Sequence, residues 1–379
     1  MQKYLTIEDL RVGASKVVPK MFFDYLESGS WAEDTLRSNL NDFKKIKFIP
    51  RVVKNISNRN LNVTVFDEHF SLPLGLAPCG LTGMQMANGE LHSAKAAEKF
   101  GVPFTLSTMS IASIEDVAEY VDKPFWFQLY VMKNHDFAKK LMDRASAAGV
   151  KTLVLTVDLQ ILGQRHRDIK NGLSSPPKMT LRNIVDLAKH PFWCLRMLKA
   201  KRRTFGNIVG HTDSVSDNSS LAAWIDEQFD LDLSWDDLRK FRDYWKGNLV
   251  LKGIMDPQDA LKACDIGADG IIVSNHGGRQ LDGAISSICA LPKITAAVGG
   301  KTKIMFDGGV RCGQDILKAK ASGAELIFIG RAYSYGLALA GEAGVIHALD
   351  ILKKELDYSM ALCGHRDITE IDNRILHHD

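Results

Sequence analysis

The chain has 379 residues, of which 45% are hydrophobic and 25% charged, and a formal net charge of +3. That length exceeds a typical small domain and fits one large α/β barrel or two ordinary domains, with enough apolar residues for a sizeable core. The near balance of charge excludes any global argument for nucleic acid or a polyanionic substrate as partner.

Six cysteines (Cys79, Cys194, Cys264, Cys289, Cys312 and Cys363) are scattered without a CxxC pair. This argues against a zinc site or a disulfide framework, so no metal is expected and a reducing cytoplasm suits the chain. The first residues, MQKYLTIEDLRVGASKV, carry acids early and lack the apolar stretch of a signal peptide. No run of about 18 apolar residues occurs, so no membrane-spanning helix is expected.

Residues 1–70 precede the first strongly apolar run and are expected to form helices and a short hairpin that close the base or rim of the fold. Strands are predicted at Leu72–Ala77, Phe104–Ser107, Phe125–Leu129, Thr152–Val157, Asn248–Lys252, Gly270–Ser274, Lys303–Phe306 and Leu326–Ile329. Between them, stretches such as ELHSAKAAEKFG and NHDFAKKLMDRASAAG place apolar residues at i, i+3, i+4 and i+7 and stop at Gly. Eight buried strands alternating with helices imply a parallel sheet, and eight strands close a (β/α)8, or TIM, barrel. A doubly wound open sheet is the competing α/β architecture, but it usually has fewer strands and a phosphate loop after the first. The reading is a single unit over 1–379: an N-terminal helical extension (1–70), a barrel (71–345), and a C-terminal helix and tail (346–379).

Ninety-six residues separate Thr156 from Lys252, which is one βα unit plus a long insertion after the fourth strand, at about 171–237. Between Lys178 and Arg203 lie eight basic residues and one acid, Asp186, interleaved with Phe192, Trp193, Leu195, Met197 and Leu198. From Thr204 to Asp237 there are eight acids and no Lys or Arg. The basic part reads either as a solvated helix packed on the barrel or as an element that docks on an anionic membrane surface or a partner.

Barrel enzymes carry their reactive groups at the C-terminal ends of the strands. In order, those ends read Cys79-Gly80, Ser107-Thr108, Gln128-Leu129-Tyr130, Thr156-Val157-Asp158, Lys252-Gly253, SNHGGR at 274–279, DGGVR at 307–311 and Gly330-Arg331. Such a uniformly polar mouth suggests a large polar cofactor carrying a phosphate. Gly308, Gly309 and Arg311 in one turn, and Gly330 and Arg331 in the next, form the natural anion site. In SNHGGRQLD, His276 places a base and Arg279 a guanidinium at the same mouth; a guanidinium grips a carboxylate through two parallel hydrogen bonds. Arg165 and Tyr25 could complete that clamp, and Asp158 would orient the His276 imidazole. A lone His at a strand end is more often structural; the adjoining Arg and Gly pair favour catalysis.

FFDYLESG, FQLYV, LTVD, LGQRHRD, LVLKG, IIVSNHGGRQLD, FDGGVRCG and IFIGRA, in this order over residues 5–372, resemble the FMN-dependent 2-hydroxy acid dehydrogenase and oxidase family. LAPCGLTGM, FTLSTMSI, WFQLYV and the insertion ahead of LSWDDL are most similar to its bacterial respiratory L-lactate dehydrogenase branch. The resemblance implies FMN as cofactor. Ala77, Pro78, Cys79, Ser107, Gln128 and Thr156 would lie around the isoalloxazine ring, with Lys252 near the edge where negative charge gathers on reduction. Ser274 would contact the FMN chain, and Asp307, Gly308, Gly309, Arg311, Gly330 and Arg331 its ribityl-phosphate. Tyr25, Arg165 and Arg279 would hold the substrate carboxylate and Tyr130 its hydroxyl, with His276 as base assisted by Asp158.

The implied activity is oxidation of an (S)-2-hydroxy acid, L-lactate to pyruvate, with electrons passing to a quinone or other respiratory acceptor. The alternative is an oxidase that reduces O2 to H2O2. Gly80, where many oxidases of the family carry Ala, and the basic insertion lean towards the dehydrogenase. TVDLQILG lacks the Pro that many family oxidases carry after Thr-Val-Asp-Xaa, and Met109 stands where many have a large aromatic; both touch the outer pocket and leave the accepted side chain open. The expected setting is cytoplasmic, peripheral on the inner membrane's cytoplasmic face, and the expected assembly a homotetramer.

Overall fold

A computed structural model describes residues 1–173, 180–211 and 229–377. The first 70 residues form α1 (Ile7–Ala14), α2 (Lys20–Glu27), α3 (Asp34–Lys45) and an antiparallel hairpin of β1 (Val63–Val65) and β2 (Glu68–Phe70). Eight parallel strands follow: β3 (Leu74–Leu76), β4 (Thr105–Ser107), β5 (Trp126–Tyr130), β6 (Thr152–Thr156), β7 (Asn248–Ile254), β8 (Gly270–Val273), β9 (Lys303–Asp307) and β10 (Leu326–Ile329). Their order, β3-β10-β9-β8-β7-β6-β5-β4, is brought round to its start by a Leu76–Phe104 bridge, and Leu76 donates to the Pro103 carbonyl at 2.8 Å. The expected TIM barrel, with its N-terminal helical extension and a long insertion after the fourth strand, is the observed fold.

The β3 strand is shorter than Leu72–Ala77 because Pro73 and Pro78 flank it and lack the N–H a ladder needs. The extension works at both ends of the barrel. Trp126, at the start of β5, packs against Phe66 and Phe70 of the hairpin and Phe328 of β10, with ring centroids 5.8, 6.4 and 5.5 Å away, and so plugs the base. At the opposite end α2 and α3 fold over the mouth and bring Tyr25, Ser28 and Asn39 to the loops after β8 and β9.

Helices α4 (Gly89–Phe100), α5 (Ile114–Tyr120) and α6 (His135–Ala147) follow β3, β4 and β5; after β6 come α7 (His166–Lys170) and, within the insertion, α8 (Leu181–Ala188) and α9 (Pro191–Leu198). The barrel pattern resumes where Ser234 and Asp237 form a capping box at the helix Trp235–Tyr244. Lys178 and residues 212–228 of the acidic arm lie outside the described residues. The last helix, Arg331–Leu362, breaks at Ala340 and Gly341 rather than at the 345 boundary drawn from the sequence. It is the one helix among the described residues long and apolar enough to cross a bilayer, yet 61% of its apolar window is buried within the protein.

Candidate active site

The mouth carries a belt of buried polar side chains. Ser107 Oγ donates to Gln128 Oε1 at 2.9 Å, and Gln128 Nε2 donates to Thr156 Oγ1 at 3.0 Å, linking the ends of β4, β5 and β6. Thr156 is in register with Lys252. The Lys252 ammonium, in turn, donates to Ser274 Oγ at 2.9 Å and pairs with Asp307 at 3.2 Å. Burial opposes its charge, but the carboxylates of Asp307 and Asp158 outweigh that and raise its pKa, so a permanent cation sits under the mouth. Along the neighbouring edge, Ala77 donates to Ile329 O at 2.9 Å and accepts from Tyr333 at 3.3 Å, followed by Pro78 and the half-buried Cys79, whose thiol pKa desolvation pushes up. Gly80 lies close under Met109: a Cβ there would stand 3.0 Å from the Met109 carbonyl.

The loop after β8 is the most constrained segment. His276, Gly277 and Gly278 are all left-handed, with φ of 58°, 64° and 74°. A bulky residue held there is strained, which is common where a side chain must be aimed at a reaction. Packing dictates the glycines: a Cβ on Gly278 would lie 2.6 Å from Leu36 N. Asn275 and Asn39 exchange two side-chain amide hydrogen bonds at 2.8 Å, and Asn275 Oδ1 also accepts from Gly278 N. His276 Nδ1 lies 2.9 Å from Asp158 Oδ1. Burial alone would raise the Asp158 carboxyl, but the His276 ring and the Lys252 charge hold it below the usual range. With Asp158 accepting from Nδ1–H, Nε2 is left as the nitrogen available to take a proton. The Tyr130 ring lies parallel to the imidazole, centroids 6.4 Å apart, and burial together with Asp158 keeps its phenol protonated.

Two guanidiniums lean on one ring: Arg279 lies 4.8 Å and Arg165 5.6 Å from the centroid of Tyr25. Arg165 is oriented by Asp168 at 2.8 Å, whose other oxygen accepts from Ser28 at 2.9 Å. Arg279 donates to the carbonyls of Tyr25 and Ser28, both at 2.8 Å, and has no carboxylate partner among the described residues. Burial and the neighbouring Arg165 depress its pKa, and because Arg165 is already paired with Asp168, it is Arg279 that carries uncompensated positive charge suited to an incoming carboxylate. Replacing Arg279 by Lys should therefore lower kcat/KM for a 2-hydroxy acid by about 1–3 kcal/mol, because a planar two-point contact becomes a point charge. Unchanged kcat/KM in steady-state assays would remove Arg279 from the clamp.

The phosphate side is built from the turns after β9 and β10. Gly308 and Gly309 have φ of 108° and 82°; a Cβ on Gly309 would stand 2.0 Å from the Asn39 carbonyl, so α3 as well as any anion demands glycine there. Arg311 lies over Tyr335 at 5.9 Å and donates to the Val310 carbonyl at 2.8 Å. Gly330 precedes the N-terminus of the helix Arg331–Leu362, where the first N–H groups lack helical partners and suit an anion. Arginines with carbonyl partners, a helix N-terminus and a polar belt leading to Lys252 fit a phosphate-bearing flavin.

The strand-end residues proposed for cofactor, carboxylate and base, with Tyr25 and Arg165, thus lie around one mouth. Sequence reasoning missed Asn39, Asn275, Asp168, Ser28 and Gln280, which hold the reactive side chains in place; Gln280 Nε2 donates to the Asp158 carbonyl at 2.7 Å. Asn275, Gln280 and Asp168 lay inside the motifs SNHGGRQLD and LGQRHRD, whereas nothing in the sequence tied Asn39 to a loop 236 residues away.

A family model described as FMN-dependent dehydrogenase matches residues 14–378. The chain is 45% identical over 369 residues to an L-lactate dehydrogenase of Ectopseudomonas mendocina, covering 97% of each. Among solved structures, the monotopic membrane protein (S)-mandelate dehydrogenase is similar with a TM-score of 0.95 and 38% identity, 99% of each chain being covered. A soluble mutant of the membrane-associated (S)-mandelate dehydrogenase of Pseudomonas putida gives a TM-score of 0.85 at the same identity and coverage.

Proposed function

The chain belongs to the FMN-dependent dehydrogenase family, and from that premise we propose that it oxidises L-lactate to pyruvate and passes the electrons to a membrane quinone. The observation that carries the reading is the His276–Asp158 pair, at 2.9 Å, beside Tyr130 and in one mouth with the Arg279–Tyr25–Arg165 group. Binding FMN alone requires none of these residues. Bound FMN supplies the two-electron acceptor.

Arg279 and Arg165 fix the substrate carboxylate, and Tyr130, kept protonated, donates to the hydroxyl or the nascent carbonyl. That leaves the α-carbon and hydroxyl beside His276, whose Nε2 takes the proton. Asp158 stabilises the imidazolium that results. Lys252, held as a cation, stabilises negative charge developing on the cofactor side of the mouth. Anaerobic L-lactate should bleach the yellow flavin absorbance of the purified protein within the time of a turnover; no bleaching with lactate or any other (S)-2-hydroxy acid would overturn the activity.

The insertion supports the membrane acceptor. On α8, Leu181 (83% exposed), Ile184 and Val185 project outward, and on α9 Phe192 (77% exposed), Leu195 and Leu198 do the same. Trp193, by contrast, turns inward, stacks on Phe22 with centroids 4.9 Å apart and donates to the Met84 carbonyl, so α9 is anchored on α2 and the mouth. Exposed aliphatic faces with Arg182, Lys189, Arg196 and Lys199 beside them suit an anionic lipid surface, each basic residue contributing about 1 kcal/mol near it. The protein should sediment with anionic vesicles at low salt and be released at high salt. Replacing the outward-facing Leu181, Ile184, Phe192 and Leu195 by Asp should abolish sedimentation while sparing turnover with a soluble dye, because Trp193 and its contact with α2 are kept. Absence of vesicle binding at low salt, or rapid H2O2 formation at air saturation, would favour the oxidase reading instead. The homotetramer implied by the family resemblance is checked by light scattering.

A further inference from the structure

Arg331 opens the last helix, beside the glycines of the phosphate turn, yet its side chain is committed elsewhere. Nε donates to the Leu26 carbonyl at 2.9 Å, Nη1 to the Gly277 carbonyl at 3.0 Å and Nη2 to the Ser28 carbonyl at 3.0 Å. Each of the three guanidinium nitrogens therefore donates to a backbone oxygen, three of the five N–H groups being used on two distant segments. Leu26 and Ser28 lie at the C-terminal end of α2, where the last carbonyls have no helical partner and the helix dipole is negative. Arg279 shares the Ser28 carbonyl at 2.8 Å, so two cations cap the same helix end. Gly277 follows His276 in the left-handed loop, and a Cβ on it would stand 2.9 Å from Arg331 Nη1. Burial, with Arg279 and Arg311 nearby, pushes the Arg331 pKa down to about 10, and no carboxylate pairs with it among the described residues.

We propose that the Arg331 side chain is a positioning residue that clasps the end of α2, which carries Tyr25, to the loop that carries His276, while only its backbone N–H at the helix N-terminus meets the cofactor phosphate. One residue then joins the phosphate site, the carboxylate clamp and the base. Seating of the phosphate against that helix end fixes the spacing of the other two. The proposal rests on the FMN reading above.

The test compares holoenzymes of the wild type, Arg331→Leu and Arg331→Lys. FMN affinity, read from flavin fluorescence on titrating the apoprotein, should change by less than about tenfold, because helix-end N–H groups and Arg311 remain. The affinity for oxalate, a dicarboxylate probe read from its perturbation of the flavin spectrum, should weaken, and kcat should fall about 10²-fold in Arg331→Leu, the loss expected when reacting groups are displaced by about 1 Å. Arg331→Lys, which retains a donor but not the three-way fork, should fall between the two. Hydrogen exchange should quicken at residues 25–30 and 274–280 but not in the barrel strands. Arg331→Leu and Tyr25→Phe should combine non-additively on oxalate affinity, as side chains in one network do.

A rise of more than about 100-fold in the FMN dissociation constant, with normal kcat and oxalate binding once the site is refilled, would make the guanidinium a phosphate ligand and overturn the proposal. So would unchanged kcat and exchange. If the Leu variant does not fold, the Lys variant carries the same readouts. Failure of the wild type to be reduced by any hydroxy acid would overturn the functional reading alone, since FMN affinity and hydrogen exchange still report on the clasp.

Discussion

Replacement of His276 by Gln is expected to leave a yellow, FMN-loaded protein that has lost about 10²–10⁴-fold in kcat, the usual contribution of a general base. Gln keeps the length and a hydrogen-bonding end, and position 276 is held by its loop more than by its ring: the Asn275–Asn39 amide pair and Ser274, which accepts from His276 N at 3.1 Å, remain. Neither the phosphate turn nor the polar belt loses a partner. Substrate-analogue affinity should change much less than kcat, because the carboxylate is held by Arg279 and Arg165. Turnover within a few-fold of the wild type, at full FMN occupancy, would remove His276 from the chemistry.

Asp158→Asn should be nearly as damaging although the residue need not touch substrate. Breaking a buried ion pair by removing one charge costs about 3–5 kcal/mol, which here falls on the protonated imidazole formed during turnover and corresponds to roughly 10²–10⁴-fold in kcat. Asn can also present its amide N–H to Nδ1 and stabilise the wrong tautomer. The loss should appear in kcat with KM little changed, which separates this role from a general loosening of the fold. In the wild type the pH sign follows from the depressed Asp158 pKa: the carboxylate charge is fully present above the ordinary aspartate value of 3.8 and is lost only as pH falls through its lower folded value. Inactivation by protonation of Asp158 is therefore confined to strongly acidic solutions. An Asn variant with unaltered kcat would show that the imidazolium needs no carboxylate.

Much of this molecule was legible in one dimension because it is built from local repeats. A strand such as TLVLT at 152–156 is buried on both faces and reads as an unbroken apolar run, while each intervening helix carries its own 3.6-residue pattern, so eight alternations specify a parallel barrel. The barrel then gathers the polar strand ends at one mouth by topology alone. For that reason His276, Asp158, Tyr130, Lys252 and the arginines could be grouped before any distance was known.

Only the tertiary structure decided what holds those groups still. The Asn39–Asn275 pair, the Ser28–Asp168–Arg165 relay and the Arg331 clasp join the N-terminal extension to loops more than 100 residues away, and such contacts leave no periodic trace. The same holds for the insertion: composition marked it as basic and apolar, but which side chains face outward depends on the packing of Trp193 against Phe22. Burial patterns and strand-end chemistry are written along the chain because each residue answers to its neighbours in sequence. The aiming of a guanidinium or an imidazole depends on carbonyls and amides supplied by distant segments, and that geometry exists only once the chain has folded.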